Sequence, residues 1–339
     1  MVNIRYTIIT KVGFCDIIIN RLTVSIKEKR GGNFLLELNE KAVRKGKALG
    51  LPYVGSKKKI SKKIVQIIKD NFGTDKTIYD IFGGGGAITA ECLLQGLEVN
   101  YNDINKNVTD MFTKVLESDR DYLKTLIISR DEFYEIKEKA IKTVTDNLKL
   151  LINSFGNNSS GYLYSKQNSE LKYNLAKEII AKHDVFSGYK QTETYKTNVT
   201  NQNNDFADFK DKPEKHRILQ QLGRLKQLEP LHQVERLERL EQLVITNLSY
   251  QDFSYVKDAI LYLDPPYENT HDAYGVSFNS QEFYDWAYEM AKDNVVIISS
   301  YEISDKRFKC VYSFDNVVST MQGANVGKKC EKLFMVREF

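Results

Sequence analysis

Cysteine is sparse in this 339-residue chain and long apolar runs are missing, and each shortage excludes something. The four cysteines, at 15, 92, 310 and 330, lie far apart and form no Cys-x-x-Cys pair and no His–Cys cluster. That pattern argues against a disulfide framework and a zinc site, and makes a reducing cytoplasm the expected setting. The longest apolar stretch near the N-terminus, Ile17-Ile18-Ile19, falls far short of the ~18 residues of a membrane span. Asp16 and Asn20 flank it, so it also fails as a signal-peptide core. The four histidines (183, 216, 232, 271) are scattered and read as surface or structural residues. What remains is ordinary for a soluble fold, with 42% hydrophobic and 28% charged residues. The length suits one large domain or two modest ones.

The net charge of +4 hides an asymmetry. Residues 1–70 carry 16 Lys/Arg against 5 Asp/Glu, while the other 269 carry 33 against 40. A basic end on a weakly acidic body suits contact with phosphate, and a solvated surface tail would look the same. Lys57-Lys58-Lys59 and Lys62-Lys63 form the densest basic run, read here as a phosphate contact.

Residues 1–46 hold an alternating stretch, Val2–Ile8, that suits a small strand pair and suggests no function. From Ile60 the pattern becomes helical, with Ile64, Ile67 and Ile68 on one face. A strand-like run, Thr77–Phe82, then ends in four glycines. A helix from Ala87 to about Gln95 and a strand at Leu97–Tyr101 complete a βαβ unit. Three more short apolar strands follow much later, at Leu243–Asn247, Ala259–Leu263 and Val295–Ser299, with a helix from Phe283 to about Lys292 before the last. The α/β pattern opens, is interrupted, and resumes, which predicts one parallel sheet carrying an inserted, mainly helical lobe. Within the interruption, residues 153–161 read as a polar loop able to contact bases or merely to turn. Leucine or valine recurs every third residue from 222 to 243. That spacing drifts by about 60° per step on an α-helix, and Pro230 interrupts it. Two short helices or a stacked triplet repeat both remain open.

Two segments carry chemistry. Phe82-Gly83-Gly84-Gly85-Gly86 joins a strand to a helix, where glycines let backbone approach a ligand at a helix N-terminus. A dinucleotide fingerprint would want a glycine at Thr89, and the Lys-Ser/Thr of a P-loop is missing. Asp103, 17 residues past Gly86 and just after the next strand, suits ribose hydroxyls. Asp264-Pro265-Pro266-Tyr267 directly follows the strand at Ala259–Leu263. A carboxylate, a carbonyl whose backbone is stiffened by proline, and an aromatic face make a receptor for a planar base with an exocyclic amine.

These motifs resemble, in order, those of the D12-class, Dam-like DNA adenine-N6 methyltransferases, over about residues 48–339. Leu51-Pro52-Tyr53-Val54-Gly55-Ser56-Lys57 is similar to the family's aromatic-x-Gly-Gly-Lys element, with Ser56 for the second glycine. Asp80–Ala87 is similar to its acid-Pro-Phe-x-Gly-Gly-Gly-Ala, with Ile81 for the proline. Asn102-Asp103-Ile104-Asn105, Ser249–Phe253 and Asp264–Tyr267 match its remaining elements. The resemblance implies a Rossmann-like S-adenosylmethionine-dependent methyltransferase sheet. Residues 47–110 and 244–339 would form the catalytic domain, 111–243 the target-recognition insertion, and 1–46 an extension of unknown role.

It implies further that Tyr53, Lys57, Asp80, Phe82, Gly84, Gly86, Asp103, Asp252, Phe253 and Asp264 bind S-adenosyl-L-methionine. Asp264, Pro265, Pro266 and Tyr267 would act on the base, without a metal. The expected substrate is double-stranded DNA, from which the adenine must be flipped. The expected setting is the cytoplasm of a bacterium or phage-infected host, with no obligate protein partner evident; the sequence does not say whether a cognate restriction enzyme acts alongside it. The middle lobe does not look like the Dam recognition hairpin, so GATC specificity is not expected. No cysteine follows a proline, which removes the nucleophile of a cytosine-C5 enzyme. Cytosine N4 or an RNA amine, or a DNA-binding protein that has lost catalysis, are the alternatives; a nicotinamide-dependent oxidoreductase is disfavoured by the glycine spacing.

Overall fold

The computed structural model describes residues 35–53, 55–201, 219–234, 243–268, 278–318 and 330–337. The expected strand pair near Val2–Ile8 and the leucines at 237 and 240 lie outside these residues.

Seven strands form one sheet: β1 (Ile78–Asp80), β2 (Val99–Asn102), β3 (Val244–Thr246), β4 (Ile260–Leu263), β5 (Val295–Ser300), β6 (Phe308–Val318) and β7 (Cys330–Val336). Their order is β3-β2-β1-β4-β5-β7-β6. The first five are mutually parallel, and β7 runs antiparallel to both β5 and β6. β1 sits between β2 and β4, with Ile78 opposite both Val99 and Ile260. Strand order reverses there, and the crevice beyond the carboxyl ends at such a point is where open α/β sheets bind ligands. The runs predicted as parallel strands fall on β1 to β5, but β3 lies at the sheet edge and is not buried, with Val244 52% exposed.

The helices are α1 (Ser61–Phe72), α2 (Ala87–Leu94), α3 (Lys106–Leu116), α4 (Arg120–Thr125), α5 (Arg130–Glu138), α6 (Val144–Asn153), α7 (Lys166–Lys182), α8 (Glu193–Asn201), α9 (Gln220–Val234) and α10 (Ser280–Met290). Local chemistry sets several of their ends. Thr143 and Asp146 form a reciprocal capping box at the start of α6, and Asn279 accepts from Gln281 N and Glu282 N at the start of α10. On one face of the sheet, Ile81, Leu261, Leu263, Val296, Ile298 and Phe334 bury against Phe283 and Ala287 of α10. A second core, from Ile128, Phe133, Ile136, Leu150, Tyr162 and Tyr164, belongs to the inserted helices.

Pro230 does not end a helix; α9 runs through it. Leu222, Leu225, Leu228 and Leu231 are all fully buried, although three steps of three residues carry them about halfway round the helix. The reason is that α9 packs on α2 and α3 of the sheet domain and on α4 and α6 of the insertion. A helix packed on from several sides buries more than one stripe, so the spacing from Leu222 to Leu231 reflects that packing.

Residues 35–46, placed in the N-terminal extension from sequence, hydrogen-bond into the sheet domain. Leu36 N donates to Val311 O at 2.9 Å, Asn39 N to Asp70 Oδ2 at 2.7 Å, and Arg44 Nε to the buried Glu91 at 2.7 Å. No helix among the described residues is long and apolar enough to cross a membrane.

Candidate active site

The glycine turn after β1 is shaped by aromatic neighbours. A Cβ on Gly83 would lie 2.3 Å from the Tyr101 ring, and one on Gly86, at φ +69°, would lie 2.1 Å from the Phe112 ring. Tyr101 and Phe112 stack at 4.7 Å beneath the turn, so bare backbone is required at both positions. Gly84 is held from two sides: its amide donates to Asp103 Oδ2 at 2.8 Å, and the Tyr101 hydroxyl donates to its carbonyl at 2.8 Å. Leu51 N donates to Gly85 O at 2.7 Å, which lays the Leu51–Tyr53 segment along the turn. The expected neighbours Tyr53, Gly84 and Asp103 are therefore brought together.

Asp103 directly follows β2 with both carboxylate oxygens engaged, Oδ2 by Gly84 and Oδ1 by Asn105 N at 2.8 Å. Burial raises its carboxyl above the ordinary range, against the pull of these two amides. Beside it, buried Asn102 donates to Ile81 O and Leu248 O and accepts from Leu248 N and Thr246 Oγ1. One side chain thus ties together the carboxyl ends of β1, β2 and β3.

Asp80 ends β1. It is buried and accepts from Thr89 N and Oγ1 at 3.1 and 2.7 Å, linking β1 to α2. Burial pushes its carboxyl up to about 7, opposed by those hydrogen bonds, and Asp264 and Asp103 are close enough for their charges to raise it further. Phe82 is half-buried, stacked on Tyr250 at 6.0 Å and edge-on to Phe278 and Phe283. Phe253 lies in the core, edge-on to Tyr79 at 6.1 Å. Asp252 is exposed and accepts from Ser249 N at 2.9 Å, capping the short turn Tyr250–Phe253.

Asp264 follows β4, next to β1, where Ile81 N donates to Tyr262 O. Lys57 reaches the same spot from the turn before α1. Its ammonium donates to Asp264 Oδ1 at 2.7 Å and to the Tyr267 hydroxyl at 2.6 Å, and stands 3.8 Å from Glu331 of β7. Tyr267 in turn donates to Glu331 Oε1 at 2.7 Å, with Asp264 Oδ1 a longer 3.2 Å away. Its ring meets Tyr301 edge-on at 4.6 Å. Among the described residues the donors to Asp264, Lys57 and Tyr267, both reach Oδ1. Burial pushes the Asp264 carboxyl up to about 6, with Lys57 pulling down and Glu331 pushing further up. Burial opposes the Lys57 charge, but Asp264 and Glu331 together outweigh it and hold the ammonium above its ordinary value.

The basic run is not a uniform phosphate surface. Lys57 is in the site, Lys58 donates to Gly50 O and Gln227, Lys62 to Gly46 O, and Lys63 pairs with Glu40. Only Lys59 of the five is exposed without such a contact among the described residues.

Glu331 was not found by reading motifs. It is a buried acid on β7, a strand in which Leu333 is buried at the next alternate position. An acid on the inward side of such an alternation is the signal that marks it.

A five-stranded parallel sheet closed by an antiparallel pair, with the Asp264–Tyr267 loop beyond β4 next to a glycine turn beyond β1, is consistent with the α/β methyltransferase fold. The family model for D12 class N6 adenine-specific DNA methyltransferase matches residues 53–321, and the chain belongs to that family. Its reaction is methylation of adenine N6 in DNA, and methyltransferases of this kind generally use S-adenosylmethionine. A comparison with curated protein sequences gives no match.

Proposed function

We propose that the chain takes its methyl group from S-adenosylmethionine and delivers it to an adenine swung out of double-stranded DNA, at the crevice between β1 and β4. The observation that supports this reading is adjacency. The turn that carries Gly84, with Asp103 bonded to it from the end of β2, and the loop that carries Asp264 and Tyr267 open at the same reversal of strand order.

The residues beyond β1 and β2 suit the methyl donor. An ionised carboxylate offers about four acceptor directions, and Asp103 has given one from each oxygen to an amide. Two remain for a vicinal diol. A Cβ on Gly84 would meet only the Tyr53 ring, at 3.7 Å, so a flat backbone surface edged by an aromatic lies beside that acid. Tyr53, Gly84, Gly86 and Asp103 would hold the donor, with Phe82, Asp252 and Phe253 shaping the wall beyond. Asp80 would act on the turn through Thr89. When bound, S-adenosylmethionine supplies a methyl group carried on a cationic sulfonium.

The remaining work falls to the loop after β4. An adenine amine is a poor nucleophile because its lone pair is delocalised into the ring. Accepting its two N–H groups on Asp264 Oδ2 and the Pro265 carbonyl would favour a pyramidal nitrogen and fix its direction. Pro266 stiffens the loop, and Tyr267 offers a ring against the base. Lys57 keeps Asp264 ionised so that it can accept. Extrusion of the base is required, since the amine is out of reach inside a duplex.

The insertion, residues 111–243, is the segment we assign to target recognition. Its loop from Ser154 to Tyr162 is closed by a β-bridge and by Phe155 N donating to Gly161 O at 2.7 Å, and it presents Phe155 to solvent. We place the protein in the cytoplasm, where its DNA substrate lies.

Transfer of labelled methyl from S-adenosylmethionine to unmethylated duplex and single-stranded DNA, followed by nucleoside analysis, tests the reading. Label in N6-methyladenine of the duplex, lost in Asp264→Ala, is expected. Label in N4-methylcytosine, preference for single strands, or an active Asp264→Ala would overturn it.

A further inference from the structure

Two buried carboxylates, not one, stand at the acceptor loop. Glu331 is 6% exposed on β7 and belongs to none of the motifs that identify the site. Its Oε1 accepts from Tyr267 at 2.7 Å and from Ser299 Oγ of β5 at 2.8 Å, and lies 3.8 Å from the Lys57 ammonium. Burying a second acid beside Asp264 is costly, and a cation with two hydroxyl donors offsets that cost.

The hydrogen-bond count explains what the acid does. A phenol has one proton to give. Lys57 donates to the Tyr267 oxygen, so the phenol proton must go to Glu331 at 2.7 Å or to Asp264 Oδ1 at 3.2 Å. The shorter partner takes it. Without Glu331 the proton would turn to Asp264, weakening that carboxylate as an acceptor for the substrate amine and loosening the Tyr267 ring.

We infer that Glu331, braced by Ser299, is a positioning residue for methyl transfer, acting through Tyr267: it takes the phenol proton, fixes the ring, and keeps Asp264 free for the amine. This rests on the proposed role of Asp264 and Tyr267. It places a functional residue on the antiparallel end of the sheet, 64 residues beyond Tyr267.

The test compares Glu331→Ala, Glu331→Gln, Tyr267→Phe and the Tyr267→Phe/Glu331→Ala double variant in the full chain, measuring kcat and KM for duplex DNA and for S-adenosylmethionine. Glu331→Ala is expected to lower kcat by about tenfold, the scale of one well-formed hydrogen bond, with KM for S-adenosylmethionine little changed. Glu331→Gln keeps an acceptor oxygen of the same reach and should recover most of the loss. In the Tyr267→Phe background Glu331→Ala should cost little more, because the bond it breaks is already gone. A general structural defect would instead be additive and would not be rescued by glutamine. Active wild-type protein with an unchanged kcat in Glu331→Ala, or with fully additive losses, would overturn the inference alone. Wild-type protein that modifies no adenine would overturn the reading of the site and the inference with it.

Discussion

The Lys57 ammonium and the Asp264 carboxylate, 207 residues apart in sequence, meet at 2.7 Å at the carboxyl edge of the sheet. Burial drives Asp264 toward its neutral acid, and Lys57 is the cation that opposes this. The balance leaves the carboxyl at about 6, so the form able to accept an amine prevails near neutral pH.

An acid limb in kcat/KM follows, because that constant reports ionisations of the free protein. Activity of the wild-type protein should rise as pH passes through about 6 and level off above it, as Asp264 loses its proton. Lys57→Met removes the cation, so the Asp264 carboxyl rises further and the limb moves to higher pH, by about one unit or more. Activity lost at pH 7 should then return partly at pH 9. A pH profile of both proteins checks this, and a limb that stayed in place would show that Lys57 does not set the ionisation of Asp264.

Asp80 makes a different prediction, about stability. Burial raises its carboxyl to about 7, against an ordinary value near 4 in the unfolded chain. Between these values the native protein keeps a proton that the unfolded chain has lost. Stability from this residue is therefore highest below about pH 4, falls as pH rises toward 7, and stays low above it. Asp80→Asn keeps an acceptor for Thr89 N and Oγ1 without the charge. Its Tm should drop less between pH 5 and pH 8 than that of the wild type, measured by thermal melts across that range.

The parallel strands were legible because strands buried on both faces leave short, apolar, β-branched runs such as Val295–Ile298. β6 and β7 were not, since each mixes lysines and acids with its apolar residues, as in Cys330-Glu331-Lys332-Leu333. The same obscurity hid Glu331, which no motif contains. Lys57, Asp103, Asp264 and Tyr267 belong to short motifs whose local order carries the resemblance. That Lys57 would leave the basic run and enter the site was not readable from spacing, because the ion pair closes across the whole sheet. Charge density likewise gave no sign that Lys58, Lys62 and Lys63 are tied to carbonyls and side chains nearby.

The glycine turn separates two causes that look alike in sequence. Gly84 has φ +48° but only the Tyr53 ring edge near a Cβ, at 3.7 Å. Gly86 has φ +69° and a Cβ there would overlap the Phe112 ring at 2.1 Å. Gly84→Ala should therefore cost about 1 to 2 kcal/mol, the strain of a left-handed residue. Gly86→Ala adds overpacking and should cost roughly 3 kcal/mol or more. Denaturant unfolding of the two variants should rank them in that order, and equal losses would mean that Phe112 yields without cost.

Gln221 links the inserted helices to the loop assigned to the target. From α9 its amide donates to Ile128 O at 3.2 Å, to Asn153 Oδ1, and to the Tyr162 hydroxyl at 3.1 Å. Arg224, one turn on, donates to Ser154 O at 2.7 Å and to Ile152 O. Both ends of the Ser154–Tyr162 loop are thus backed by α9, which itself packs on α2 and α3 beside the sheet. Gln221→Leu leaves the Tyr162 hydroxyl short of a donor and the buried Asn153 oxygen with only the longer contact from Ile128 N at 3.4 Å, a cost of about 1 to 3 kcal/mol. Because the loop loses its backing while the glycine turn keeps its own, KM for duplex DNA should rise several-fold, with KM for S-adenosylmethionine unchanged. Equal changes in both constants would mean that α9 transmits the damage to the sheet, and that the insertion is not a separate recognition element.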